Sequence, residues 1–264
     1  MLFLLKIAVT PVLVAAVSLA ARWWGPTIGG LLMGLPWFTG PLLFVLTYDR
    51  GAEFGVGATI GIELAVLCVS AFILAYGFVA RVARWPVALS TAVGLFFVSG
   101  FSMDAVAPLL LPDAPAWQLP AAAGIGFASL LATFLLLPRP ASPPVLQTLP
   151  WWDIPMRMVA TGALVATIVL LADALGPRLS GILGTYPVIL TVVCAFTQHS
   201  WGADAVLSVL RGVTVSLFSF VVFFLIVGTL LPGAGLVLSY ACAVLVAVTM
   251  TGTMLFLSRK GATR

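Results

Sequence analysis

Apolar segments of roughly twenty residues recur along this sequence, and they constrain its fold more than any other feature. The first reads LFLLKIAVTPVLVAAVSLAA and the last LVLSYACAVLVAVTMTGTMLF. A helix of ~20 apolar residues crosses the ~30 Å hydrocarbon core of a bilayer. Charged residues make up 8% of the chain and mean hydropathy is +1.21, whereas a soluble domain carries about 25% charged residues. The sequence therefore predicts an all-α polytopic membrane protein.

We predict about nine transmembrane helices. The apolar N-terminal segment resembles a signal peptide, but its long apolar core and its counterpart later in the chain favour a retained first span. A Pro-rich stretch, PRPASPPVLQTLPWW, cannot continue a helix and indicates a linker after the fifth span. The predicted spans are residues 2–21, 27–48, 55–80, 86–103, 118–138, 154–174, 178–198, 205–231 and 234–257.

The basic residues predict the orientation of these spans. With the N-terminus outside and the C-terminus in the cytoplasm, eight Lys or Arg residues fall on the cytoplasmic side and three outside. Such an excess follows the positive-inside rule. We therefore predict a multi-pass protein of the cell inner (plasma) membrane, in contact with membrane lipid.

An internal repeat is indicated by a shift of 151 residues, which aligns the first half on the second without a gap. The shift matches Gly25-Pro26 with Gly176-Pro177 and Pro36 with Pro187, and Gly51-Ala52 with Gly202-Ala203. Fixed-offset similarity is the signature of repeated structure. Five spans separate equivalent positions, so the two copies are predicted to be inverted. The prediction is two four-helix repeats, 1–112 and 152–264, joined by a connecting helix and linker at 113–151.

Helix-breaking residues occupy matching positions in the second and seventh predicted spans, GPTIGGLLMGLP and GPRLSGILGTYP. Unwound backbone inside a membrane must face protein or a wet cavity, and half-helix N-termini attract anionic or polar groups. In the second span, Thr39 or Gly40 is predicted to cap a half-helix that opens with Pro41; in the seventh, Thr185 caps one that opens at Pro187. Kinked helices with glycines for tight packing are the alternative. The substrate-binding residues predicted at the two breaks are Pro36, Thr39, Thr185, Tyr186 and Pro187.

Two charged residues inside the spans are candidates for the same midplane site. Glu63 lies about ten residues into the third span, and an intramembrane carboxylate costs about 2.5–3.5 kcal/mol, so it is a functional candidate by default. Unpaired, it is a plausible proton carrier. The alternative for Glu63 is a structural salt bridge or hydrogen bond, in which Arg211, three residues from the repeat equivalent of Glu63, is the natural partner. Arg211 is also a predicted site residue, but the preferred interpretation is that it snorkels to the cytoplasmic surface.

Four further charged residues are candidate pathway charges. Lys6 and Arg157 are repeat equivalents just inside their spans, and they are either cationic ends of a pathway or interfacial anchors. Asp49 and Arg50 lie in the loop after the broken second span, where a solvated turn is the alternative to a gate. The preferred interpretations are interfacial anchors for the first pair and a solvated turn for the second.

The chemistry absent from the sequence narrows the function. One histidine cannot form a His cluster for a metal, and Cys68, Cys194 and Cys242 lie in apolar spans without CxxC spacing. No nucleophile with a base, Walker motif or GxSxG motif is present, so we expect no enzyme, cofactor or metal. Without a basic run interleaved with aromatics, no nucleic-acid partner is expected.

We therefore expect a secondary transporter or permease for a small solute, anionic or amphiphilic, bound at the midplane where the broken second and seventh spans meet. A flippase or scramblase for a lipid carrier is the first alternative, because few polar side chains exist to grip a hydrophilic solute. A non-transporting membrane assembly subunit is the second. A homo-oligomer is compatible with each of these functions.

Overall fold

The computed structural model describes residues 2–37, 39–111, 113–143, 148–175 and 185–262, and all regular structure in these ranges is helical. The all-helical prediction is thus confirmed for the described residues. In chain order the helices are α1 Leu2–Trp24, α2 Pro26–Met33, α3 Thr39–Arg50, α4 Ala52–Val79, α5 Trp85–Leu110, α6 Pro115–Leu136, α7 Asp153–Leu175 and α8 Val188–Ala262.

The long helix α8 is interrupted twice by glycines with non-helical backbone angles. Gly202 has φ 82° and ψ −172°, and Gly235 has φ 77° and ψ 172°. Such a conformation is essentially restricted to glycine, which has no Cβ to clash. α8 therefore consists of three helical segments, 188–201, 203–234 and 236–262. A similar turn occurs before α4, where Gly51 has φ 91° and ψ 169°.

Several helices are long and apolar enough to cross a membrane. Among the described residues these are Ala52–Val79, Trp85–Met103, Pro115–Leu136 and Val188–Phe256, with the shorter apolar stretch Val9–Trp24 in α1. Side chains such as Val87, Leu135 and Val248 are more than half exposed on these helices, as expected of a surface that meets lipid tails. The count of nine spans and the inverted repeat stay predictions.

The centre of the bundle is α4, which packs against α5, α6 and α8. Its residues Phe72, Ile73 and Tyr76 are fully buried. α4 runs antiparallel to the 203–234 segment, as two contacts demonstrate. A Cβ on Gly77 would lie 3.6 Å from Leu210, and a Cβ on Gly228 would contact Thr59. Glycines at both crossings let the two helices approach closely.

The helix α2 packs tightly on the same 203–234 segment through a glycine in each partner. A Cβ on Gly30 would collide with the carbonyl oxygen of Val209, and a Cβ on Gly212 with that of Thr27. Two helix backbones can come this close only where neither partner carries a side chain. This contact holds the first half of the broken second span against α8.

Helices α1 and α7 also run antiparallel and cross near their centres. A Cβ on Gly162 would lie 3.8 Å from Cγ of Pro11. Arg22, near the end of α1, donates from Nη2 to Asp153 Oδ2 at the start of α7 (2.6 Å). The contact between the last turn of one helix and the first turn of the other fixes their opposite directions.

Candidate functional site

The predicted break in the second span is present. Helix α2 ends at Met33, residues 34–37 are not helical, and α3 begins at Thr39. Because Pro36 has no N–H, the carbonyl of Leu32 loses the donor it would meet in a continuous helix. The indole Nε1 of Trp37 replaces that donor at 2.9 Å.

The start of α3 differs from the prediction by two residues. Thr39 is the first helical residue, so Pro41 lies within the first turn and does not open the helix. The backbone N–H of Gly40 donates to the carbonyl of Pro36 (3.0 Å) across the break. This hydrogen bond carries the chain into the helix two residues earlier than a start at Pro41 would.

The second predicted break is described from Thr185 onward, and residues 176–184 lie outside the described ranges. Thr185, Tyr186 and Pro187 are not helical, and α8 begins at Val188 rather than at Pro187. The carbonyl of Pro187 accepts from the N–H of Thr191 (2.9 Å). The hydroxyl of Thr191 donates to the Tyr186 hydroxyl oxygen (2.9 Å), which ties the Tyr186 side chain to the first turn of the helix.

A cavity of about 860 Å³ lies between these two breaks. Helices α1, α3 and α4 form one part of its wall, and α7 and the start of α8 form another. Thr39, Thr185, Tyr186 and Pro187 are among its lining residues, whereas Pro36, Glu63 and Arg211 are not. The structure thus brings four of the predicted site residues to one cavity.

The lining of this cavity is apolar. None of the described residues that line it carries a charge, and its polar side chains are Thr10, Thr39, Thr185, Tyr186 and three tryptophans. Tyr186 is held by rings on two sides, stacked on Phe97 (centroids 5.8 Å apart) and edge-on to Phe96 (5.3 Å). Trp23, Trp24 and Trp37 are 69%, 54% and 55% exposed, so the cavity reaches the protein surface at these rings.

Glu63 does not line the cavity, contrary to the predicted midplane site. Its neighbours on α4, Ile62 and Val66, face the cavity, while Glu63 faces α6, where a Cβ on Gly126 would lie 3.4 Å from its Oε2. The residue is fully buried, and neither carboxyl oxygen has a hydrogen-bond partner among the described residues. Helical geometry explains the error, because adjacent residues of a helix point about 100° apart.

Arg211 does not pair with Glu63 in the structure. Arg211 donates from Nη1 to the carbonyl of Leu137 at the end of α6 (3.1 Å). Its guanidinium carbon lies 5.1 Å from the centre of the Phe134 ring. Arg211 therefore binds the C-terminal end of α6, where a cation is favoured by the free carbonyls, and it reaches neither Glu63 nor the cavity.

Arg157 is buried and does not line the cavity. It is 2% exposed and donates from Nε to Asp153 Oδ2 (2.8 Å), and its guanidinium lies 5.2 Å from the Phe196 ring. Asp153 also accepts from Arg22, so one carboxylate joins two cations. Sequence reasoning missed Asp153, although its spacing of four residues from Arg157 is that of a helical ion pair.

Of the remaining predicted pathway charges, Asp49 and Arg50 do not line the cavity. Asp49 and Arg50 are exposed at the end of α3, and the Arg50 guanidinium lies 4.9 Å from the Phe54 ring. Lys6 belongs to α1, but its side chain lies outside the described part of the structure. Within the described ranges, no group of three His, Cys, Asp or Glu side chains is arranged to hold a metal ion.

Comparisons with known proteins leave the site to be interpreted from its own geometry. The chain matches no family, no curated protein and no solved structure.

Proposed function

We propose that this protein is a membrane carrier for an amphiphilic solute, whose apolar part occupies the cavity between the two helix breaks. The apolar lining of that cavity is the observation that carries the proposal. A volume of about 860 Å³ falls within the ~300–1,000 Å³ of small-molecule sites. A hydrophilic solute would lose its water there without gaining enough polar partners, so the lining favours a solute with a substantial apolar part.

The arrangement of the helices supports a carrier built from two inverted copies. α1 and α7 each have 23 residues and begin 151 residues apart. Gly51 and Gly202, with the same separation, share an unusual positive φ. The contacts are reciprocal as well, because Gly77 meets Leu210 and Gly228 meets Thr59, and the 151-residue shift exchanges these two contacts. Reciprocal contacts are typical of a two-fold relationship, and the antiparallel packing favours inversion.

An asymmetry between equivalent positions supports alternation between two states. Gly212 is buried under α2, whereas Gly61, its equivalent in α4, is exposed, and none of the described residues lies within 4 Å of a Cβ placed there. In carriers with inverted repeats, alternating access arises when one repeat or bundle moves against the other around a fixed site. We infer that Gly61 and Gly212 exchange environments during transport. The proposed location is the cell inner membrane, with the N-terminus outside and the C-terminus in the cytoplasm.

Uptake by proteoliposomes tests the proposed function. Octanesulfonate and methanesulfonate share a permanently charged head and differ in the alkyl chain, so they separate amphiphile transport from anion transport. We expect protein-dependent uptake of radiolabelled octanesulfonate and none of methanesulfonate. Octyltrimethylammonium, with the same chain and the opposite charge, tests whether the head group is also selected.

A matched pair of substitutions ties any uptake to the cavity. Ala65 lines the cavity, so Ala65→Phe should fill part of it and reduce octanesulfonate uptake. Ala128 is exposed on α6 and does not line the cavity, so Ala128→Phe should leave uptake unchanged. Equal uptake by both variants, or uptake independent of chain length, would contradict the proposal.

A lipid flippase or scramblase is the second candidate. The three exposed tryptophans in the cavity lining favour it, because a cavity open at the protein surface admits a lipid from the side. Proteoliposomes that contain a fluorescent phospholipid distinguish the two functions. Protein-dependent loss of more than the outer-leaflet fluorescence on addition of dithionite would indicate lipid movement, and Ala65→Phe should slow it.

A further inference from the structure

Glu63 is buried without the hydrogen-bond partners that a structural carboxyl group normally has. Its exposed fraction is 0%, and both carboxyl oxygens lack hydrogen-bond partners among the described residues. A buried polar group normally has a partner, and an unpaired buried charge is costly enough that the group is neutral instead. Burial of this kind favours the protonated acid, and it requires an explanation.

The elements that pack against α4 offer no countercharge. Helix α6 contains no ionisable residue between 115 and 136, and the 203–234 segment contains two, Asp204 and Arg211. Asp204 accepts from Ala141 and Ser142, and Arg211 donates to Leu137. Glu63 therefore has no charged neighbour in either helix that its side chain faces.

The other two helices that pack beside α4 are α3 and α5, and their described side chains also provide no countercharge for Glu63. The ionisable residues of α3 are Tyr48, Asp49 and Arg50, all exposed at its far end. The one acidic residue of α5 is Asp104, whose side chain lies outside the described part of the structure. On α4 itself, Glu53 is exposed in the first turn, and Cys68 and Tyr76 are buried further along.

The polar groups along the interface between α4 and α6 are satisfied without Glu63. The backbone of Gly126 lies beside its carboxyl, because a Cβ there would lie 3.4 Å from Oε2. The carbonyl of Gly126 accepts from Ser129 Oγ (2.8 Å), and that of Ser129 accepts from Thr133 Oγ1 (2.8 Å). Ser129 Oγ also lies 3.2 Å from Ser70 Oγ, two turns from Glu63 on α4. Among the described residues, none of these hydroxyls is bonded to the Glu63 carboxyl, so the carboxyl is enclosed in this state.

We propose that Glu63 is the binding site for a coupling proton, separate from the solute cavity and placed on a different face of the same helix. The bound proton keeps Glu63 as the neutral acid while the carboxyl is enclosed, and it is released to water when α4 moves and exposes the carboxyl. Ile62, Ala65 and Val66 of α4 line the solute cavity, so a movement of α4 changes both sites. This inference rests on the proposed carrier function.

Infrared spectroscopy tests the proton site without reference to transport. The carbonyl stretch of a protonated carboxylic acid should be present in the purified wild-type protein and absent from Glu63→Gln. The matched control Glu53→Gln, at the exposed start of the same helix, should keep the band. A wild-type spectrum without this band at any pH, or a band that Glu63→Gln retains, would overturn the proposal.

Transport in proteoliposomes then tests the coupling. With an imposed pH gradient, the wild type and Glu53→Gln should accumulate octanesulfonate, and Glu63→Gln should fall to the level of protein-free vesicles. Gradient-driven accumulation by Glu63→Gln equal to wild type would overturn the proton role. If no chain-dependent uptake occurs in wild type while the infrared band is lost in Glu63→Gln, the carrier function fails and the proton site stands.

Discussion

Pro11 of α1 and Gly162 of α7 face each other where the two helices cross, since a Cβ on Gly162 would lie 3.8 Å from Pro11 Cγ, and they occupy equivalent positions under the 151-residue shift. Two copies of one residue position can meet only near the axis that relates the copies. Thr59 and Gly77 of α4 make reciprocal contacts with Gly228 and Leu210. These contacts support a two-fold relationship whose axis passes between α1 and α7 and between α4 and the 203–234 segment.

The glycine crossing between α2 and α8 should be intolerant of side chains. In Gly30→Ala or Gly212→Ala, the new methyl group collides with backbone, which cannot move aside as a side-chain end would. Overpacking of this kind costs typically about 1–3 kcal/mol. We expect each variant to lower the midpoint of thermal unfolding in detergent.

The control for this prediction is Gly61→Ala, at the position equivalent to Gly212. Gly61 has open space around it, so the substitution should change the free energy of unfolding by less than about 0.5 kcal/mol. Equal destabilisation at positions 61 and 212 would show that the loss of a helical glycine, rather than the close crossing, determines the effect.

The carboxylate of Asp153 should be necessary for stability. Asp153→Asn leaves the buried Arg157 and the partly exposed Arg22 without their shared countercharge. Removal of one partner from a buried ion pair costs about 3–5 kcal/mol. Unfolding in a detergent mixture of increasing denaturing strength measures the effect, with Asp49→Asn at the exposed end of α3 as the control. A variant as stable as that control would mean that the two cations find other partners.

The open space beside Gly61 should be required for transport rather than for folding. In the state that the structure describes, Gly212 is close-packed and Gly61 is exposed. If Gly61 becomes close-packed in a second state, Gly61→Leu should block that second state and leave the described state unaffected. We expect normal thermal unfolding and loss of octanesulfonate uptake. Gly57→Leu is the control, because Gly57 also has open space but its equivalent, Ser208, is not a glycine. Full uptake by Gly61→Leu would argue against an exchange of environments.

The helix break in the second span could be predicted from sequence because its cause is local. Pro36 removes a backbone donor wherever it lies in a helix, and an apolar segment of membrane length fixes the depth at which this happens. The substitute donor could not be predicted, since Trp37 reaches the carbonyl of Leu32 only in the particular turn that residues 34–37 adopt. For the same reason, the first residue of α3 was misplaced by two positions.

Side-chain pairings between distant parts of the chain could not be predicted from the sequence. Arg211 is a candidate partner of Glu63 because it lies three residues from the repeat equivalent of Glu63, yet in the structure it donates to the carbonyl of Leu137 at the end of α6. Arg22 and Asp153 are 131 residues apart and meet only because α1 and α7 are antiparallel. Such contacts depend on helix packing, which a single sequence encodes only through residue size and polarity.

The orientation of equivalent loops tests the central claim most directly. Tyr48 and His199 are equivalent positions, 151 residues apart, and both side chains are exposed. Single-cysteine variants Tyr48→Cys and His199→Cys, in a background without Cys68, Cys194 and Cys242, are labelled in intact cells with a membrane-impermeant maleimide. If the two halves are inverted copies, Tyr48→Cys reacts from outside and His199→Cys reacts only after the membrane is permeabilised. Reaction of both positions from the same side would contradict the inverted repeat and the carrier proposed from it.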